Sequence, residues 1–180
     1  MPRPRYAMTV DTVRCVGCNA CVLACKAENR LPEQGYRDWI TTDVRGRFPD
    51  LEQQIRSERC NHCTRAPCVQ ACPTGASHVG HGGTVLVAPN KCTGCKACIA
   101  ACPYEARYVH DEGHVDKCTF CLHRVARGKE PACVANCPTR ALTFGDLNDP
   151  DSAVSRLLRS RPYRVLQPEQ GLEPHVYFLE

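Results

Sequence analysis

Apolar and polar positions along the chain change period every few residues, so the elements they predict are short. Tyr6, Met8 and Val10 alternate with small or polar neighbours, the period of a half-buried strand. Residues 18–29 read as a helix carrying Cys21 and Cys25. Two strands, 37–44 and 51–57, flank the turn-like RGRFPD, and a second hairpin of 76–79 and 84–88 turns at Gly80, Gly82 and Gly83. Residues 105–117 give a third hairpin around Asp111, Glu112 and Gly113, followed by a helix over 119–128. Asp149 and Pro150 read as an N-cap and first-position proline opening a helix to about 160. PHVYFLE closes the chain as a strand. Short helices and β-hairpins together give an α+β class.

These elements carry too little apolar material for an ordinary core. Hydrophobic residues make up 43% of the 180, but removing the 16 cysteines leaves about 34% (arithmetic on the same sequence), with one Trp, four Phe and six Tyr. Something other than packed side chains is expected to fill the interior, and inorganic clusters would do so.

The cysteines fall into four groups of four with none left over. They are Cys15-x2-Cys18-x2-Cys21-x3-Cys25, Cys60-x2-Cys63-x4-Cys68-x3-Cys72, Cys92-x2-Cys95-x2-Cys98-x3-Cys102 and Cys118-x2-Cys121-x11-Cys133-x3-Cys137. The first and third match the spacing of bacterial 4Fe–4S ferredoxins; the others are that pattern with insertions before the third cysteine. CPTGA, CPYEA and CPTRA repeat after groups two, three and four. Two-residue gaps let a tight loop place three thiolates on three corners of a cubane, with Gly17 and Gly94 permitting close approach. The fourth cysteine, about a helical turn further on, points to a second cubane, and the proline after it stops the helix.

Groups two and three are joined by a 19-residue hairpin linker, which reads as one complete two-cluster unit. Groups one and four then pair by elimination. The expected ligand sets are Cys15, Cys18, Cys21 and Cys137; Cys25, Cys118, Cys121 and Cys133; Cys60, Cys63, Cys68 and Cys102; and Cys72, Cys92, Cys95 and Cys98. Pairing one with two and three with four stays open at this point. A disulfide framework is disfavoured because cysteines three apart in one turn do not bridge easily. Zinc is disfavoured because its sites use two well-separated CxxC pairs.

With a cysteine on every iron, no corner is open to substrate, so the expected role is electron transfer rather than catalysis. No dinucleotide fingerprint or P-loop is present. The seven histidines show no metal-type pairing in sequence; His62 and His123, near cysteines, read as solvated or hydrogen-bonding. A basic residue precedes each group (Arg14, Arg59, Lys91, Lys117), with Lys26 and Lys96 nearby, and such cations either are solvated surface charges or raise a cluster's reduction potential. Lys91→Met, on that reading, lowers the potential of the cluster held by Cys92, Cys95 and Cys98.

The formal charge of +4 is no argument for nucleic acid. Four oxidised clusters at about −2 each, ligands included, would bring the chain near −4. Residues 66–90 lack charge but contain three Pro and four Gly, and the MPRPRYAMTVD start has no apolar core, so neither a membrane span nor a signal peptide is expected.

CVGCNACVLACKAEN, RCNHCTRAPCVQACPTGA, KCTGCKACIAACPYEARYV and KCTFCLHRVARGKEPACVANCPTRALTFGDLNDPDS together resemble the four-cluster iron–sulfur subunits of the dimethyl sulfoxide reductase superfamily. The length and the PYRVLQPEQG tail look most like the polysulfide/thiosulfate reductase electron-transfer subunit. The resemblance implies two nested ferredoxin-like lobes: an outer one of residues 1–30 and 104–148, and an inner one of 58–103. A hairpin insertion (31–57) and a C-terminal helix with a partner-docking tail (149–180) complete the expected organisation. It implies the nested ligand sets above and four 4Fe–4S clusters, since Cys95 is present where some relatives lack it and hold a three-iron cluster. It implies a molybdopterin catalytic subunit against the outer lobe. A quinone-linked membrane anchor subunit would lie against the inner lobe, nearest Cys72, Cys92, Cys95 and Cys98. Attachment to the membrane is expected through that partner, on the extracytoplasmic face, with the cytoplasmic face open. The alternatives are the same relay in a formate dehydrogenase or hydrogenase complex, or a zinc-binding interaction module.

Overall fold

The computed structural model describes residues 3–180, so the first two positions of the MPRPRYAMTVD start lie outside the described residues. Strand β1 (Tyr6–Asp11) leads through a loop carrying Cys15 and Cys18 into helix α1 (Ala20–Asn29). The helix starts two residues later than expected because Gly17 and Asn19 adopt left-handed backbone, φ +67 and +59, which leaves Cys18 in the loop. Strands β2 (Asp38–Arg47) and β3 (Asp50–Arg59) pair along their whole length, so RGRFPD contracts to a turn at Phe48 and Pro49. Asp38, Ser57 and Arg59 are buried at the base of this hairpin, and Val44, Phe48 and Leu51 are exposed at its far end.

Helix α2 (Pro67–Gln70), the hairpin of β4 (Ser77–Val79) and β5 (Val85–Val87), and helix α3 (Ala97–Ala100) come next. The hairpin of β6 (Tyr108–Val109) and β7 (Val115–Asp116) follows. Helix α4 (Leu122–Val125) is a single turn where residues 119–128 were expected to be helical, because Phe120 and Cys121 take φ +52 and +50 and break the start. Helix α5 (Ala132–Ala135), strand β8 (Leu142–Asp146), helix α6 (Ala153–Ser160) and strands β9 (Tyr163–Arg164) and β10 (Val176–Leu179) complete the fold. The cap of α6 is Ser152, whose Oγ accepts the Ser155 N–H at 3.1 Å; Asp149 instead accepts the Asp151 N–H within the preceding turn. Strand β8 has no counterpart among the expected strands.

The largest sheet runs β8-β1-β10-β9, with β1 and β10 parallel and the other pairs antiparallel. Its central position buries both faces of β1, including Ala7 and Thr9, rather than one face as the alternation suggests. Met8, Val10, Leu142, Val176 and Phe178 join Phe120 and several cysteines in one core. On the opposite face, Gly145 lets α6 approach: a Cβ there would stand 3.4 Å from Ser152 and Val154.

His175, just before β10, ties that strand to the loop of group two. Its N–H donates to the Asn61 carbonyl at 2.8 Å, its carbonyl accepts the Met8 N–H at 3.0 Å, and its ring Nε2 pairs with the Thr64 hydroxyl at 3.0 Å. Burial, with Arg5 adding to it, lowers its pKa from 6.5 to about 4. The unfolded chain therefore binds a proton that the folded one refuses between pH 6.5 and 4. The resulting stability is whole above 6.5 and falls by about 3 kcal/mol as the pH drops through that window. His175→Gln is expected to flatten the pH dependence of the denaturation midpoint across it; an unchanged slope would refute this assignment.

Candidate cluster sites

The structure brings the sixteen cysteines into four cavities, and none of them forms a disulfide. One cavity is lined by Cys15, Cys18, Cys21 and Cys137, a second by Cys25, Cys118, Cys121 and Cys133. Cys60, Cys63, Cys68 and Cys102 line a third; Cys72, Cys92, Cys95 and Cys98 line the fourth. Their volumes are about 300, 280, 300 and 290 Å³ in that order. All four thiols of the Cys25 cavity are buried, and only Cys102 in the Cys60 cavity is partly open. The Cys15 and Cys72 cavities each include one exposed cysteine, Cys18 and Cys95. Four sites of one size thus comprise two inner ones and two that reach the surface.

Local backbone explains the repetition. The residue before the second cysteine of every group is left-handed: Gly17, His62, Gly94 and Phe120, at φ +67, +46, +68 and +52. Two are glycines, for which this costs little. His62 and Phe120 are not, and their rings stack on each other with centroids 3.9 Å apart. The packing of this buried pair over-determines the strained corners. In groups two, three and four a one-turn helix ends one residue before the position preceding the fourth cysteine, whereas α1 runs past Cys25, where no proline follows.

Donors converge on the sulfurs. The backbone N–H groups of Ser77, Val115, Phe120 and Ala141 reach Cys72, Cys92, Cys118 and Cys137 at 3.3, 3.4, 3.4 and 3.2 Å. Arg59 Nη1 donates to Cys133 Sγ at 3.1 Å and Arg107 Nη2 to Cys68 Sγ at 2.8 Å. Several buried donors have no protein partner at all: Arg59 Nε, Arg107 Nε and Nη1, and the Asn61 amide beside Cys60. Unpaired buried cationic donors are costly, so acceptors are owed to them. A cluster of iron and sulfide in each cavity would supply those acceptors, and the all-thiol donor sets fit a 4Fe–4S cubane.

Burial works against free thiolates at the interior. It pushes Cys63 and Cys118 up to about 12 and Cys133 to about 11; for the last two, Arg59 pulls the other way. Burial and then the Asp38 carboxylate push Cys25 up as well. Cys72 is lowered by the Ser77 N–H, and Cys137 is lowered because Thr139 and nearby backbone N–H groups outweigh burial. Only a bound cation charge would hold the interior thiols deprotonated at neutral pH.

Of the flagged cations, Arg59 and Lys117 are buried, whereas Arg14 and Lys91 are exposed. Lys26 donates to the Glu33 and Gly35 carbonyls at 2.7 and 3.0 Å, away from sulfur, and Lys96 lies in the wall of the Cys72 cavity. Lys91→Met is therefore expected to matter little, since water screens that charge. His62 is buried and accepts the Val85 N–H at 3.0 Å; His123 pairs with Glu28 at 2.8 Å. The expectation that no histidines group as metal ligands is corrected at one place. The β6–β7 turn brings His110, Glu112 and His114 within 4.8 Å, the two rings stacked at 4.6 Å. It is a poor cradle, because Glu112 is 76% exposed and His110 Nδ1 already accepts the Glu112 N–H.

Arg107, Ser57, Ser77, Asp38 and Asn61 were not legible as site residues. Arg107, Ser57 and Asp38 reach their cavities from distant segments, as in the 39-residue separation of Arg107 from Cys68, whereas Asn61 and Ser77 sit in or just after a cysteine group and carried no sequence signal.

Known proteins are similar in sequence over nearly the whole chain. Residues 51–147 match a family described as a 4Fe-4S dicluster domain, and residues 14–76 match a second family of the same description. Protein NrfC of Escherichia coli is 45% identical over 177 residues, covering 96% of this chain and 79% of the relative. A polysulfide reductase chain from Wolinella succinogenes is 45% identical over 172 residues, 93% of this protein and 89% of the relative. A tetrathionate reductase subunit from Salmonella typhimurium is 39% identical over 183 residues, 99% and 73% in the same order.

Proposed function

Because the chain belongs to the 4Fe–4S dicluster family of reductase iron–sulfur subunits, we propose that it is the electron-transfer subunit of such a complex. It carries four 4Fe–4S clusters and relays electrons between a quinone-linked membrane subunit and a molybdopterin catalytic subunit. The observation that carries this reading is four cavities of one size, each walled by four cysteines, with an exposed cysteine at each of the two outer ones.

The cavity linings serve as the ligand sets, which nests the lobe of groups two and three inside that of groups one and four. Each cluster, when bound, takes up and releases one electron at a time. The chain's own residues hold and screen that charge: cysteine sulfurs ligate, and backbone N–H groups steady them. The two ends differ in chemistry. Exposed Val13, Val16 and Leu23 surround the Cys15 end, which suits a lasting contact with the catalytic subunit. Lys91, Thr93 and Lys96 flank Cys95 at the other end, which we assign to the quinone side. No helix among the described residues is long and apolar enough to cross a membrane. We assign attachment to a partner subunit, on the extracytoplasmic face. The names of two relatives, a polysulfide reductase chain and a tetrathionate reductase subunit, favour a sulfur-compound reductase over a formate dehydrogenase or hydrogenase.

Anaerobically purified protein is expected to contain about sixteen iron and sixteen labile sulfide, and to give magnetically interacting EPR signals on reduction. Stoichiometric zinc without sulfide, in protein kept from oxygen throughout, would replace this function with that of a zinc module.

A further inference from the structure

Three buried cations stand between the four cavities, one at each junction. Arg59, 2% exposed, donates to Cys133 of the Cys25 cavity and to the Ser57 hydroxyl, which lies 3.3 Å from Cys21 of the Cys15 cavity. Arg107, 6% exposed, repeats the device in the other lobe. It donates to Cys68 of the Cys60 cavity and at 2.9 Å to Ser77, whose N–H reaches Cys72 of the next cavity. Lys117, 1% exposed, gives its ammonium to the carbonyls of Cys118 and Val85, which wall the Cys25 and Cys60 cavities. These contacts order the sites as Cys15, Cys25, Cys60, Cys72. Among the described residues none of the three cations makes an ion pair with a carboxylate. Arg59 and Arg107 also keep unpartnered N–H groups. The buried Asp38 in the wall of the Cys25 cavity acts on Arg59 from beyond ion-pair distance, and the rest of the negative charge that balances the three cations would lie in the cavities on either side.

We propose that Arg59, Lys117 and Arg107 are shared counter-charges, each offsetting the charge an electron adds to either of its two neighbouring sites. The inference rests on the four-cluster reading. A shared cation raises both neighbours' potentials together and keeps the thiolates between them charged, so the relay stays reducible along its length. Arg14 and Lys91, exposed to water, take no part.

The test is an EPR-monitored redox titration of the anaerobic holoprotein. Arg107→Gln is expected to make two of the four clusters about tenfold harder to reduce, which for one electron is about 59 mV. The other two should stay in place, iron and sulfide should be unchanged, and Lys91→Met should move nothing. Arg59→Gln should displace a different pair. Unchanged potentials, a shift confined to one cluster, or an equal shift in all four would overturn the proposal. If Arg107→Gln does not take up iron, Arg107→Lys keeps the charge and decides: potentials within tenfold of wild type support it, a larger fall overturns it. Wild-type protein without four clusters would instead defeat the underlying functional reading.

Discussion

Chelating iron out of the purified protein is expected to unfold it rather than leave an apo form of the same shape. Each cavity is walled by four cysteines, most of them in the interior. Without iron the interior thiols take up protons, the buried Arg59 and Arg107 lose nearby negative charge, and the metal-binding free energy that supports folding is gone, against the ~5–15 kcal/mol that holds a domain together. Little else is present to take over. Seven of the nine buried cysteines belong to the same core as Met8, Val10, Phe120 and Phe178, so removing their load empties the centre of that core. Far-UV circular dichroism and amide hydrogen exchange before and after chelation check this. Persisting protection in β1, β8 and β10 without iron would show that the side chains suffice.

Cys118→Ala has the largest expected effect of any single substitution. Cys118 is buried in the Cys25 cavity and its carbonyl holds the Lys117 ammonium, so its sulfur lies at the middle of the row. The variant should hold about 12 iron rather than 16, show a lowered denaturation midpoint, and pass almost no electrons from one end to the other. Cys95→Ala, at the exposed end, should leave the other three sites and most of the stability intact. Iron content, the denaturation midpoint and donor-driven reduction of the assembled complex distinguish the two. Equal losses would mean that position in the row does not matter.

Much of this architecture was legible because its chemistry is local. Cysteine spacings of two and three residues announce the loops, and the Gly80–Gly83 and RGRFPD turns announce two hairpins whose strands lie close to the expected bounds. What escaped depends on partners distant in sequence or on backbone that composition hides. Residues 119–128 look helical, but Phe120 turns left-handed to lie against His62, 58 positions earlier, and the helix shrinks to Leu122–Val125. Arg59 and Arg14 occupy the same place relative to a cysteine group, yet β3 carries one inside and a surface loop leaves the other in water. Arg107 lies outside every cysteine pattern, and only the fold sets it against Cys68. Ser152 took the cap from Asp149 because the chain makes one more turn before α6 begins.

The interleaved linings also impose a timetable on synthesis. Every cysteine around the Cys72 cavity has been translated once Cys98 emerges, and the Cys60 set is complete at Cys102. Cys15, Cys18 and Cys21, made first, must wait for Cys137. That is 39 residues after Cys98, a delay of ~2–8 s at ~5–20 residues per second. β1, beside them, waits longer still for β10. With the linings as ligand sets, the middle of the nascent polypeptide would be complete first, and for that interval its earliest thiols would have no complete site, leaving them the group most open to oxygen and stray metal.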